Sequence, residues 1–215
     1  MPYRRIKFVD QNFYHTFNRG VEKREIFSNP EDYDRFLQTI YYYQFDGPKP
    51  KLSTHKRFRL IEFEKNPQIV EIICYCLMPN HFHLLIRQVK NGGTQEFMRK
   101  VLNSYTKYYN TKYHRVGYLL QGAFRAVEVE TDNQLLHLSR YIHLNPFVSN
   151  LTNDLNVFKY SSYPGYIGLV EDKICRSEPI LSFFKESRDY KKFVEDQRSY
   201  GKELDQIKHL LVDDD

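Results

Sequence analysis

The stretch from Ile72 to Arg87, IICYCLMPNHFHLLIR, constrains this chain more than any other. Two apolar runs flank Met78-Pro79-Asn80, which is a turn signal. The pattern predicts antiparallel strands over 69–78 and 81–88, joined by a tight connection. Side chains alternate faces along a strand, so His81 and His83 share one face and Phe82 takes the other. Two imidazoles in an otherwise apolar strand are costly to bury without partners. They either bond to backbone at a strand mouth or hold one metal ion together, and spacing alone leaves both open. A structural zinc tetrad is a further reading, because Cys74 and Cys76 lie on the adjoining strand with Cys76 opposite His83. Against it, a single residue separates the cysteines, and buried strands often use Cys as a small apolar residue.

Around this hairpin the chain alternates strands and helices. Residues 12–17, NFYHTF, read as a strand ended by Asn18-Arg19-Gly20. Asn29 caps a helix with Pro30 at its first position, running to about Phe45. The run from Pro48 to Arg59 reads as a loop, and 58–63 as a strand. Asn91-Gly92-Gly93 is a loop, and Thr94 caps a helix to about Tyr113, with Phe97, Val101, Leu102, Tyr105 and Tyr109 on its apolar stripe. Leu119 to Val129 reads as a strand broken at Gly122. Thr131 and Gln134 form a capping box before a helix with Leu135, Leu138 and Ile142 on one stripe. Asn145-Pro146 should stop it, since the residue before Pro avoids helical geometry. A loop-rich stretch, YSSYPGYIG, leads to a charged helical tail near 190–211. This order favours an α+β fold, an antiparallel sheet with helices on one face, over a doubly wound parallel sheet.

The 215 residues carry a formal net charge of +5, which permits a polyanionic partner without requiring one. Five Lys or Arg and no acid fall between Pro48 and Arg59. Lys49, Lys51, Lys56 and Arg57 in that run, with Arg99, Lys100 and Lys107 on the helix, are candidate DNA contacts; Arg19 and Arg125 are two more. Basic residues interleaved with tyrosine suit a phosphate backbone and stacked bases, although solvated surface helices share that look. Three cysteines without framework spacing fit a reducing compartment. No apolar leader opens the chain and no segment is long enough to span a bilayer, so the expectation is a cytoplasmic protein without a membrane partner.

Tyr141 and Asn145 are four residues apart and share a helix face. Alone, they read as an amphipathic tyrosine and a helix-terminal amide. Beside a two-histidine site they would supply a phenol nucleophile and an amide oxygen.

MPNHFHLLI closely resembles the HUH motif, histidine–bulky apolar–histidine, of single-tyrosine transposases, notably the REP-associated tyrosine transposases and the insertion-sequence-200-like transposases. Arg140 to Pro146, RYIHLNP, resembles the family segment that begins at the catalytic tyrosine and ends in Asn-Pro. FNRGVEKREIF and QGAFRAVEVE also resemble family segments, and the likeness spans about Tyr14 to Tyr166. It implies a ferredoxin-like sandwich with the His pair on a central strand. It also implies Mg²⁺ or Mn²⁺ held by His81, His83 and Asn145; two imidazoles lean toward manganese on ligand type. Tyr141 would attack single-stranded DNA beside a hairpin, giving a 5′-phosphotyrosine and a free 3′-hydroxyl. Some relatives carry Gln in place of Asn145, and Tyr105, Tyr108 and Tyr109 are rival nucleophiles. Residues 1–168 would form the transposase domain and 169–215 a helical extension, with monomer and homodimer both open.

Two other functions compete. A metal-dependent hydrolase could use the same histidines with an activated water, but such sites recruit a carboxylate, and Glu71 is expected on the opposite parity from Cys74 and Cys76. A non-catalytic nucleic-acid-binding protein would need only the basic, tyrosine-rich helix.

Overall fold

A computed structural model of the chain describes residues 6–47, 50–58 and 62–197, the side chains of 56–58 excepted. Strand β1 (Phe13–Arg19) leads through α1 (Pro30–Tyr43) and the short α2 (Leu52–Phe58) to the hairpin of β2 (Val70–Met78) and β3 (His81–Gln88). Helix α3 (Gly93–Lys112) precedes β4 (Arg125–Val129), and α4 (Asp132–Val148) follows it. Three further helices complete the described chain: α5 (Tyr163–Tyr166), α6 (Glu178–Leu181) and α7 (Ser187–Glu195). The four strands form one antiparallel sheet in the order β2-β3-β1-β4. That is the β-α-β-β-α-β arrangement of a ferredoxin-like sandwich, and β3, bearing both histidines, is central.

The strand alternation sorts the core into two layers. Tyr14, Phe82, Leu84 and Ile86 join Phe36 of α1 and Phe97, Val101 and Tyr105 of α3 on one side of the sheet. These are the expected helices on one face. Cys74, Cys76 and Leu85 join Leu135 and Ile142 of α4 on the other, where Ile180, Tyr190 and Val194 of α6 and α7 extend the cluster. Helix α4 thus covers the second face over β2 and β3, a layer beyond the two-helix sandwich.

Local chemistry accounts for the boundaries. The Asn29 side chain accepts a bond from the Asp32 amide at the start of α1, and Thr131 with Gln134 forms the capping box of α4. The Pro79 carbonyl at the hairpin tip accepts bonds from the Ile26 and Phe27 amides, and the Asn80 carbonyl from that of Gly20. A Cβ on Gly20 would lie 2.1 Å from the Arg24 carbonyl oxygen, so this loop closes only with glycine there.

Several boundaries differ from expectation. Residues 52–58 of the basic run are helical, held by buried Leu52 and by His55 stacked on Tyr42. Of the strand expected over 58–63, Phe58 ends α2 and Phe63 opens a 3-10 turn, while 59–61 lie outside the described residues. Helix α3 starts at Gly93 from a left-handed Gly92, one position ahead of the Thr94 cap. The strand expected over 119–129 shrinks to β4, preceded by a bridge between Leu120 and Gly20. Helix α4 runs past Pro146 to Val148, its last turn secured by the Ser149 amide on the Asn145 carbonyl and by two amides on that of Pro146. The expected tail helix is represented by α7, and 198–211 lie outside the described residues. Among the described residues no helix is long and apolar enough to cross a membrane.

Candidate active site

Strand parity puts His81 and His83 on the α4 face, as the spacing implies. Their ring centroids are 5.0 Å apart. Helix α4 brings Tyr141 over them: its ring stands edge-on to His83 at 5.5 Å, and 39% of the residue remains exposed. Asn145 follows one turn later, still in helical geometry because α4 does not end at Pro146, and is buried.

A third histidine completes the group. The β1–β3 register sets Phe17 opposite His83 and His15 opposite Leu85, all on the same face. His15 Nε2 lies 2.9 Å from His83 Nδ1, with the rings stacked at 5.1 Å. His81 Nδ1 in turn lies 2.6 Å from the Asn80 side-chain oxygen. Each motif histidine therefore has its Nδ1 engaged and would ligate through Nε2. Such outer contacts orient metal-binding imidazoles, so the two imidazoles present fit a divalent ion. Among the described residues no group of three or more His, Cys, Asp or Glu is gathered for a metal. The only sequence signal for His15 was its parity with Phe13 and Phe17; nothing local reveals which strand pairs with β1.

Cys76 pairs with His83 as expected. Both thiols are fully buried in the apolar cluster, and burial raises their pKa values well above the ordinary range. Glu71 departs from expectation. A β-bulge between Ile72 and Cys74 turns it onto the histidine face, opposite Arg87. Its carboxylate is engaged by Arg87 and by Arg176 Nη1 at 2.6 Å, and it lies four positions along the ladder from His83.

The rival tyrosines occupy the other layer. Tyr105 is buried and donates to the Ile26 carbonyl, Tyr108 donates to Asp32 at 3.0 Å, and Tyr109 bonds Ser28 at 2.7 Å. Burial raises the pKa of Tyr105 far above its ordinary value.

The cationic candidates divide between the two sides. Arg19, opposite His81 in register, donates to Gln121, and exposed Arg125 stands opposite Phe17; both are on the histidine face. With His15, Phe17 and exposed Val127 they form the half of that face that α4 leaves open. Arg99, Lys100, Lys107 and Lys51 lie in the α1–α3 layer behind the sheet. Lys49 lies outside the described residues, as do the side chains of Lys56 and Arg57.

This sandwich, with a tyrosine-bearing helix over a histidine-bearing central strand, has the fold of a tyrosine transposase. A REP-associated tyrosine transposase, solved bound to a REP hairpin, superposes with a TM-score of 0.55 at 11% identity, over 82% of this chain and 98% of that one. A candidate transposase from Deinococcus radiodurans gives 0.37 at 12% identity, over 64% of this chain and 92% of that one. The tRNA(His) guanylyltransferase of Saccharomyces cerevisiae gives 0.39 at 8% identity, over 86% and 72%; these two scores are too low to bear on the reading. Residues 51–145 match the family model described as transposase IS200 like. No curated protein matches the sequence.

Proposed function

We propose that this protein nicks and rejoins single-stranded DNA, with Tyr141 as nucleophile. The observation that carries the reading is the Tyr141 ring at 5.5 Å from His83, a histidine itself held by His15. Tyr141 Oη attacks the scissile phosphorus; an O–P bond to tyrosine forms as the bond to the 3′-oxygen breaks, and that oxygen leaves as a 3′-hydroxyl. The 5′-phosphotyrosine conserves the bond energy, so a 3′-hydroxyl can reverse the step on the same or another strand. A phenol of ordinary pKa near 10 attacks poorly at neutral pH. Mg²⁺ or Mn²⁺, held by His81, His83 and Asn145, would supply stabilisation of the charge that builds on the phosphate. His15 and Asn80 keep the two imidazoles in one tautomer and orientation. Arg19 and Arg125 would guide the strand across the open half of the face toward Tyr141.

A water-based hydrolase is disfavoured, because Glu71, the sole carboxylate of the four strands among the described residues that is turned onto this face, is engaged by two arginines. Incubation with labelled single-stranded DNA and Mn²⁺ tests the proposal. A covalent protein–DNA species that survives denaturation is expected, and is lost when His81 and His83 are both changed to Ala. Binding without any adduct would instead favour a non-catalytic nucleic-acid-binding protein.

A further inference from the structure

Helix α4 is gripped on the side away from its tyrosine. At about 100° per residue, Ser139 and His143, each two positions from Tyr141, point to the opposite side of the helix. Both are fully buried. His143 Nε2 lies 2.8 Å from Ser162 Oγ, and that oxygen accepts from the Tyr75 amide of β2 at 2.9 Å. His143 Nδ1 lies 2.7 Å from Tyr190 Oη of α7, which donates to Ser139 Oγ at 3.2 Å. One direction of donation satisfies the whole chain: Tyr75 to Ser162, Ser162 to His143, His143 to Tyr190, Tyr190 to Ser139, and Ser139 to the Leu136 carbonyl. Strand β2, α4 and α7 are thereby joined through one imidazole.

A second contact ties α4 to α7. The Arg140 guanidinium lies 4.3 Å from the Phe193 ring centre, and Nη1 donates to the Phe193 carbonyl at 3.4 Å. On the Tyr141 side, by contrast, the neighbouring half of the sheet face is open and the tyrosine is 39% exposed. The rotation of α4 is therefore set from the α7 side. Turning the helix would strand buried donors and acceptors of the His143 chain, and the same turn would sweep the Tyr141 ring across His83. A misplacement of about 1 Å at a reacting group can cost about 100-fold in rate.

We propose that His143 is a positioning residue for strand cleavage: bonded to Tyr190 and Ser162, it fixes the rotation of α4 that sets Tyr141 over His83. This rests on the reading of Tyr141 as nucleophile, and it goes further by making α7, outside the sandwich, part of what the reaction requires. His143 touches neither DNA nor metal in this role.

The test uses full-length variants and two readouts. Tyr190→Phe removes one hydroxyl and keeps the ring, so His143 loses its α7 partner with little change in volume. Tyr166→Phe is the matched control, since its hydroxyl bonds the Ile73 carbonyl at 2.6 Å and takes no part in the chain. With labelled single-stranded DNA and Mn²⁺, Tyr190→Phe should slow adduct formation at saturating DNA about tenfold. The DNA concentration giving half the maximal rate should stay within about twofold, and Tyr166→Phe should keep the wild-type rate. Proton NOEs between the Tyr141 and His83 rings supply the second readout. They should be present in wild type and Tyr166→Phe and weakened in Tyr190→Phe. Undiminished NOEs in Tyr190→Phe would overturn the proposal, as would equal rate losses in the two variants, which would reduce the effect to general loosening. The NOEs need no cleavage, so a wild-type protein that shows them and forms no adduct would contradict the nucleophile reading and leave the positioning result to stand or fall by itself.

Discussion

His15 Nε2 and His83 Nδ1 lie 2.9 Å apart, within hydrogen-bond distance across neighbouring strands. If His83 ligates through Nε2, its Nδ1–H donates to His15, which then carries its own proton on Nδ1. Losing such an outer contact typically costs metal affinity about 10- to 100-fold. His15→Phe should therefore weaken Mn²⁺ binding by that order in calorimetry, while the far-ultraviolet spectrum is retained. Wild-type affinity in the variant would show that His83 needs no support from β1.

Much of this geometry was legible in sequence. Alternation about Pro79-Asn80 predicts the hairpin and its parity, and the caps at Asn29 and Thr131 predict two helix starts. The rest depends on long-range pairing. Nothing near His15 says that β1 lies beside β3, and one bulge at Ile72/Cys74 reverses the parity expected of Glu71. The basic run hid α2, because seven residues are too few for a periodic pattern and Leu52 and His55 take their helical form from tertiary contacts. Pro146 ends no helix, because the backbone beyond it bonds back to Asn145 and Pro146.

His143 ties the Tyr141 helix to the C-terminal region. Its Nδ1 is 2.7 Å from the Tyr190 hydroxyl of α7 and its Nε2 is 2.8 Å from the Ser162 hydroxyl. Burial pushes its pKa down from 6.5 to about 3, so the folded protein keeps it neutral. Below pH 6.5 the unfolded chain takes up a proton that the folded chain refuses. This contribution is therefore fully present above pH 6.5 and falls by about 1.4 kcal/mol per unit as pH drops toward 3. Urea titrations between pH 7 and 5 should show that slope in wild type and a flatter one in His143→Gln. The variant should also lose about 1–3 kcal/mol at neutral pH from its broken bonds. An identical pH slope in both proteins would mean that another group governs acid sensitivity.

Cys74 and Cys76 read as packing residues. Changing both to Ser places two hydroxyls among Leu85, Leu135 and Ile142 and should cost about 1–3 kcal/mol each. Metal-dependent adduct formation per folded molecule should be retained. Stoichiometric zinc in the wild-type protein, lost on this change, would restore the tetrad reading with His81 and His83.

Tyr141→Phe removes one oxygen from a partly exposed ring and should leave stability within about 0.5 kcal/mol. Adduct formation should fall by orders of magnitude while DNA affinity persists. Asn145→Ala should be intermediate, since two imidazoles remain. Full adduct formation by the Phe variant would remove Tyr141 from the mechanism.

The most direct measurement is peptide mapping of the trapped protein–DNA adduct. The account predicts one phosphotyrosyl peptide, containing Tyr141 from the helix above His81 and His83. A nucleotide joined instead to Tyr105, Tyr108 or Tyr109, in the layer behind the sheet, would contradict it.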